Sequence, residues 1–465
     1  MNAPSRPLRA VILAAGLGTR MKSRLPKVLH PICGRPMLAY VIDAARAATG
    51  NTPLVVYSPA TAQLCDVFAG AADFALQDEP RGTADAVRAA LDALPVDVDE
   101  VVVLSGDVPL IEVESIAAVA DARRAAGTPM ALAAVDAEDA SGYGRIVLDV
   151  GDSVARIVEE KDASEAEREI TLYNGGLYAF DVAWLRTALP RISVSATTGE
   201  LYLTGLVDIA RGAGTPALAV REPDDADWEW EFAGINDRED LADASAAMLY
   251  ERVLAPLMRA GVTIEDPAST YVEATVEIAE DVTLGPNVTL RGATRIGRDT
   301  LIRTGSQVID STIGERCTIW SSVIEGSTIG NDVRVGPFAH IRPGCEIGDG
   351  AEIGNFAEQK ATRFGARSKQ HHFSYLGDAE IGSDVNVGAG TITANFDGSA
   401  KHRTVIGDRA FIGSDTILRA PLTIGADAVT GAGSVVTRDV PPGKLAVGVP
   451  ARIRERSKPG GSGAK

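Results

Sequence analysis

From Ile329 onward an aliphatic side chain returns at every sixth residue: Ile329, Val335, Ile341, Ile347 and Ile353. In four of these five cases Gly follows at once, as Gly330, Gly336, Gly348 and Gly354. The beat resumes at Ile381-Gly382 and Val387-Gly388, then at Ile406-Gly407, Ile412-Gly413, Leu418, Ile424-Gly425 and Thr430-Gly431. A helix repeats near 3.6 residues and a flat strand near 2, so a period of six belongs to neither. It predicts short strands joined by sharp turns and wound into a parallel β-helix, each coil burying its aliphatic residue against its neighbours. Gly and small polar residues suit the corners, where φ is positive or backbones crowd. The coil begins loosely at Val276, Val282 and Val288, and steps of five occur at Ile319, Ile324 and Ile329. Residues 355–380 and 393–405 depart from the beat and are predicted to be loops or insertions, where a rigid scaffold usually carries function.

The first half has a different grammar. Leu8-Arg9-Ala10-Val11-Ile12-Leu13 and Val101-Val102-Val103-Leu104 are apolar strands, ending at Ala14-Ala15-Gly16 and at Ser105-Gly106-Asp107. Helical patterns such as Thr83 to Leu94 lie between such strands, which predicts an α/β domain with a largely parallel sheet. Ligands bind such sheets at the carboxyl ends of the strands, so both strand ends aim at one crevice. Between the halves, Leu241, Met248, Leu249 and Val253 form a helical stripe, and Pro256 is expected to kink or end that helix.

Composition narrows the reading. A chain of 465 residues holds two or three domains. Its net charge of -18 argues against general nucleic-acid binding, so an anionic substrate requires a local basic cluster. The four cysteines (Cys33, Cys65, Cys317, Cys345) form no CxxC pair, which fits a reducing cytoplasm without a disulfide framework or zinc site. No stretch is long enough to span a membrane, and Met1 to Pro7 has no apolar signal core.

The first chemical motif is Leu13-Ala14-Ala15-Gly16-Leu17-Gly18-Thr19-Arg20-Met21, followed by Leu25-Pro26-Lys27. It is not the dinucleotide fingerprint, because Met21 stands where the third Gly would be. The glycines alone fit any α/β turn. Arg20 and Lys27 with backbone N–H groups at a strand end make a triphosphate cradle. The segment resembles the signature of sugar-nucleotide pyrophosphorylases. Joined to a hexapeptide coil, it resembles the family of bifunctional bacterial N-acetylglucosamine-1-phosphate uridyltransferase / glucosamine-1-phosphate acetyltransferases, over roughly residues 8 to 450.

The resemblance implies an α/β Rossmann-like nucleotidyltransferase domain over residues 1–236, a linker helix over 237–260, a left-handed parallel β-helix acetyltransferase domain over 261–453, and a disordered tail over 454–465. In the first domain it implies that Leu13, Ala14, Ala15, Gly16, Arg20 and Lys27 hold UTP and that Gln77, Gly82 and Thr83 read the uracil. Ser105 and Gly106 lead into Asp107, which with Asn236 is implied to bind Mg²⁺. Gly144, Glu159 and Asn174 are implied to hold the N-acetylglucosamine ring. In the second domain it implies His372 as general base for the amine of glucosamine-1-phosphate, since an imidazole titrates near neutral pH. His371 reads as a solvated surface residue. Arg342 and Lys360 are implied to hold the sugar phosphate, Tyr375 and Asn386 the sugar, and Ala389, Asn395, Phe396, Ser414 and Ala432 the acetyl-CoA. A homotrimer is implied. Three positions depart from the family pattern: Ser105 for a common Tyr, Gly175 for a Thr, and Phe396 for the usual Tyr.

Two rival readings remain. Another sugar-1-phosphate nucleotidyltransferase with a regulatory hexapeptide tail would lack the His372 to Asp378 segment. A non-enzymatic subunit built from the same modules would have lost Arg20, Lys27 and Asp107.

Overall fold

The computed structural model describes residues 8–223 and 227–456. The sequence readings for residues 1–7 and for 457–465 of the tail lie outside the described residues. The chain divides into two compact units, Met1–Ala246 and Ala247–Lys465.

The first unit is built on a nine-stranded sheet among the described residues. Its strands are β1 (Leu8–Leu13), β2 (Leu54–Tyr57), β3 (Asp73–Leu76), β4 (Glu100–Ser105), β5 (Met130–Asp136), β6 (Arg145–Leu148), β7 (Val154–Val158), β8 (Leu172–Asp181) and β9 (Leu218–Arg221). The main order is β9-β5-β8-β4-β1-β2-β3, with β6 paired to β8 and β7. The sheet is mixed rather than largely parallel, because β8 runs antiparallel to both β4 and β5. Val101, Val102, Val103 and Leu104 are all buried, as continuous apolar strands are when both faces are covered. Strands β1 and β4 are parallel neighbours with Leu13 opposite Ser105. Their carboxyl ends therefore open side by side, which is what makes a common crevice. Helix α1 (Thr83–Ala93) begins at the same end, behind Gly82.

Helical backbone runs from Arg238 to Arg259, but in three registers: α-helix Arg238–Ala247, a wider π segment Met248–Leu254, and α-helix Ala255–Arg259. Pro256 does not end it. A proline ring cannot donate to the ladder and crowds the carbonyl four residues back, and a wider turn immediately before it relieves both faults.

The second unit is a parallel β-helix with three faces of twelve, ten and nine strands among the described residues. The first face runs from Thr263–Ile264 and the second from Tyr271–Val272. The third begins at Glu277–Ile278. Rungs stack in strict register: Ile319, Val335, Ile353, Gln370, Val387, Ile412 and Thr430 share one inward column. The glycines that follow the aliphatic residues answer crowding more than φ. A side chain on Gly354 would collide with the His371 carbonyl of the next coil. Positive φ at the corners falls mostly to other residues, Asp281, Asn287, Asp299, Asp332, Asp384 and Asp427 among them, a preference of short polar side chains.

The expected break at 355–380 is absent. Strands Ala357–Lys360, Arg363–Phe364, Lys369–Gln370, Ser374–Gly377 and Ala379–Ile381 continue all three faces. The beat disappears from the sequence because Gln359 and Gln370, both fully buried, take inward positions normally aliphatic. The second departure is a true excursion: residues 395–403 leave the coil between Ile392–Ala394 and Thr404–Ile406, with Phe396 bridged to Lys401.

Candidate functional site

In the first unit the loop after β1 lies against Lys27. Gly18 adopts φ 57°, and a Cβ there would strike the Lys27 side chain, so only glycine lets the loop pass. Lys27 forms an ion pair with the Asp107 carboxylate. Arg20 Nη2 donates to Asn236 Oδ1 at 2.7 Å. The Ile235 N–H donates to the Asp107 carbonyl at 3.0 Å, tying the Asn236 segment to the end of β4. Four residues from three distant segments thus meet, alternating cation and oxygen donor. Beside them is a pocket of about 480 Å³, lined among others by Gly16, Gln77, Gly82, Thr83, Ser105 and Asp107. Leu13 and Ala15 line it too, while Ala14 is buried beneath with its N–H on the Val56 carbonyl at 2.9 Å. Gln77 Nε2 donates to the Gly82 carbonyl at 3.1 Å and to Asp85 Oδ2 at 3.0 Å, which fixes which edge of its amide faces outward. Gly106 donates to the Leu13 carbonyl at 2.9 Å and locks the two strand ends together.

Gly144, Glu159 and Asn174 also converge. Asn174 N–H donates to the Gly144 carbonyl at 2.8 Å, and a Cβ on Gly144 would lie 3.5 Å from Glu159 Oε2. Thr204 holds Glu159 Oε1 at 2.7 Å, and Asn174 Nδ2 donates to Tyr178 at 2.6 Å. Gly175 has a local cause. A Cβ there would come within 2.9 Å of the Phe232 ring, so the buried phenylalanine takes the room a larger residue would need.

One residue near this site, His30, carries a pH signature. Arg238 reaches back to the segment following Lys27, its Nη1 3.3 Å from His30 Nδ1 and its Nε donating to the Met21 carbonyl at 3.3 Å. Burial and the Arg238 charge push the His30 imidazole below its ordinary value of 6.5, so folding favours its neutral form. Below about pH 6.5 the unfolded chain takes up a proton there that the folded chain refuses, so stability falls as pH drops through that value. Urea midpoints of the first unit's signal should decline from pH 7 to pH 5, and His30→Asn should flatten that slope.

In the second unit the site is a corner. Gln370, Val387, Ile412 and Thr430 occupy one inward column, and two residues beyond each stand His372, Ala389, Ser414 and Ala432. Successive rungs are joined there by the Gly390 N–H on the Phe373 carbonyl at 2.7 Å, Asp415 on Ala389 at 2.6 Å and Gly433 on Ser414 at 2.8 Å. One corner thus stacks the expected base above three of the expected acetyl-CoA residues. His371 Nε2 lies 3.0 Å from Glu352 Oε2, and Lys369 shares that carboxylate at 3.4 Å. Although partial burial alone would raise Glu352, His371 and Lys369 hold it below the usual carboxylate range. Among the described residues, no hydrogen bond or ion pair engages the exposed His372 imidazole.

Along the second face, Arg342 and Lys360 follow inward residues of successive coils. Arg342 pairs with Glu358 at 3.0 Å. Lys360 pairs with Asp378 at 3.1 Å, and Asn395 Nδ2 donates to the other Asp378 oxygen at 2.5 Å. The Tyr375 ring lies over Gly377, close to Asn395. Lys401 and Asp378 hold Lys360 above the ordinary lysine value, while its hydrogen bond and charge push Lys401 down. Arg342, Lys360 and Lys401 thus form a local cluster of cations in a chain of net charge -18. Asn386 stands apart, on the first face between Lys369 and Phe411. Phe396 is exposed on the excursion. The sequence reading passed over Lys401 and Asp378 as site residues. The signal for Lys401 was its place inside the second departure from the beat.

Residues 10–221 match the MobA-like NTP transferase domain family, and residues 326–358 and 403–438 match the bacterial transferase hexapeptide family of six repeats. The chain is 47% identical over 448 residues to the Bifunctional protein GlmU of Rubrobacter xylanophilus, covering 96% of this chain and 94% of that protein. The chain belongs to the GlmU family. It is likewise 42% identical over 453 residues to the Bifunctional protein GlmU of Caldanaerobacter subterraneus subsp. tengcongensis, covering 97% of each. The GlmU of Streptococcus equi subsp. zooepidemicus is 43% identical over 441 residues, 94% of each chain. A GlmU-family chain with these two domains is a bifunctional transferase, a nucleotidyltransferase joined to a hexapeptide acyltransferase. The reading of a regulatory tail on a single nucleotidyltransferase is thereby set aside.

Proposed function

We propose that the protein makes UDP-N-acetylglucosamine in two steps: acetyl-CoA-dependent N-acetylation of glucosamine-1-phosphate in the second unit, then uridylyl transfer from UTP to N-acetylglucosamine-1-phosphate in the first. The observation that carries it is the presence in one chain of two separate constellations: Arg20, Lys27, Asp107 and Asn236 at a strand-end crevice, and His372 above Ala389, Ser414 and Ala432, with Arg342 and Lys360 in the same unit.

In acetyl transfer the amine of the sugar attacks the thioester carbon, His372 takes the amine proton, and the CoA thiol leaves. The Ser414 hydroxyl and backbone N–H groups near Ala389 are placed along the same corner to stabilise the oxyanion. Arg342 and Lys360 hold the sugar phosphate, and Tyr375 orients the sugar. In uridylyl transfer a phosphate oxygen of the sugar attacks the α-phosphorus of UTP in line, and pyrophosphate leaves. No protein nucleophile is required, so the chain's work is positioning and charge dispersal by Arg20 and Lys27.

Asp107 and Asn236 fit Mg²⁺: both present oxygen, both oxygens face cations in the same crevice, and such an ion keeps several waters and needs few protein ligands. When bound it neutralises phosphate charge. Separate assays of acetyl transfer and of pyrophosphate release on the purified protein test this reading; absence of either activity overturns it.

The assembly we propose is a homotrimer in the cytoplasm, with substrates that are all small molecules. Trp320, Phe338, Phe356 and Phe373 stand exposed at neighbouring corners of successive coils, Phe338 and Phe356 stacked 5.4 Å apart. Such a column suits burial against a second copy. Asn386, on a different face from Tyr375, supports a site completed by a neighbouring chain. Among the described residues no helix is long and apolar enough to cross a membrane. Light scattering should give the mass of three chains, and a dilution-induced monomer should lose acetyl transfer alone; an active monomer refutes the shared site.

A further inference from the structure

Two glutamines lie inside the β-helix where every neighbouring rung is apolar. Gln359 sits between Ile341 and Leu376 in its column, and Gln370 between Ile353 and Val387. Both are fully buried. Gln359 Nε2 donates to Gln370 Oε1 at 2.7 Å. Gln370 Nε2 donates to Ser374 Oγ at 2.9 Å and to the Ser374 carbonyl at 3.3 Å. Ser374 Oγ in turn donates to the His372 carbonyl at 2.8 Å. A chain of hydrogen bonds therefore runs from the core to the turn that carries His372.

Stability does not explain the pair. The Gln359 Oε1 atom is buried without a partner, and an unpaired buried amide oxygen is costly. An Ile, Leu or Val fills the same position in the coils above and below at no such cost. What an aliphatic pair lacks is the donor that reaches Ser374. The turn it reaches is exposed, and the His371 and His372 rings on it lie 6.4 Å apart with their planes at 83°. Glu352 anchors His371, whereas among the described residues no side chain hydrogen-bonds or pairs with the His372 ring. Its aim is set by the backbone, and that backbone is fastened from within.

We propose that Gln370, oriented by Gln359 and acting through Ser374, is a positioning residue for the acetyltransferase base. The proposal rests on the reading of His372 as that base. Gln370 touches no substrate. It fixes the His371–Phe373 turn so that the His372 imidazole meets the attacking amine, and small misplacements of a catalytic group are expensive in rate.

The test replaces Gln370 with Met, similar in shape but without the amide, and Ser374 with Ala, which cuts the outer link and leaves the core intact. Acetyl-transfer kcat at saturating substrates should fall about tenfold in each. The KM values, the melting temperature and uridylyl transfer should hold. In a His372→Ala background, Gln370→Met should cause no further loss, because its effect passes through the base. Unchanged kcat in both single variants overturns the proposal, as does an equal further loss in the His372→Ala background. Should Gln370→Met fail to fold, Ser374→Ala decides alone. If His372→Ala itself keeps full turnover, the base reading has failed; if it is crippled while Gln370→Met and Ser374→Ala are not, only the relay has failed.

Discussion

Asp107→Ala should lose UDP-N-acetylglucosamine formation by about 10³-fold or more while acetylating glucosamine-1-phosphate at the unaltered rate. Asp107 ends β4, takes Lys27 in an ion pair, and anchors the Asn236 segment through its carbonyl. Its side chain supplies the carboxylate of the proposed Mg²⁺ pair and also holds a cation meant for phosphate. Alanine removes both roles but keeps the backbone bond to Ile235, so the crevice should remain formed. Acetyl transfer belongs to a unit that packs by itself, from Ala247 onward. Pyrophosphate release and free thiol production, measured on the same preparation, separate the two. Loss of both in a still-folded variant would sink the two-site reading. Added Mg²⁺ should not rescue the loss, since the missing ligand is the protein's own.

His372→Ala should slow acetyl transfer by roughly 10²–10⁴-fold, the usual worth of a positioned general base. His371→Ala should cost far less. The two rings are adjacent, but Glu352 holds His371 as part of a surface ion pair with Lys369, whereas His372 stands in the corner column with Ala389, Ser414 and Ala432. Uridylyl transfer should be unchanged in both. Turnover at saturating acetyl-CoA is the deciding measurement. A crippled His371→Ala beside an active His372→Ala would reverse the assignment and displace the roles of Lys360 and Tyr375 with it.

The amino-acid sequence by itself determined the two architectures. A six-residue aliphatic beat fits coils that bury one residue per short strand, and apolar strands alternating with helical patterns and ending in Gly-rich turns fit an α/β crevice, though not the antiparallel β8 inside its sheet. It also determined the chemistry of the loop after β1, because Arg20 and Lys27 lie close in sequence. Tertiary structure decided the rest. Gly144, Glu159 and Asn174 come from a hairpin and an antiparallel strand, and only the pairing of β8 with β6 and β5 brings them together. The resemblance named Ala389 and Ser414, but their alignment in one corner could not be read from spacing, because the excursion at 395–403 lies between them and stacking rather than sequence distance aligns them. Residues 355–380 read as a departure because periodicity is seen through hydrophobicity, and there the inward positions are Gln359 and Gln370. A polar side chain can occupy a core when neighbouring groups meet its hydrogen bonds, and whether they do depends on which coils lie above and below.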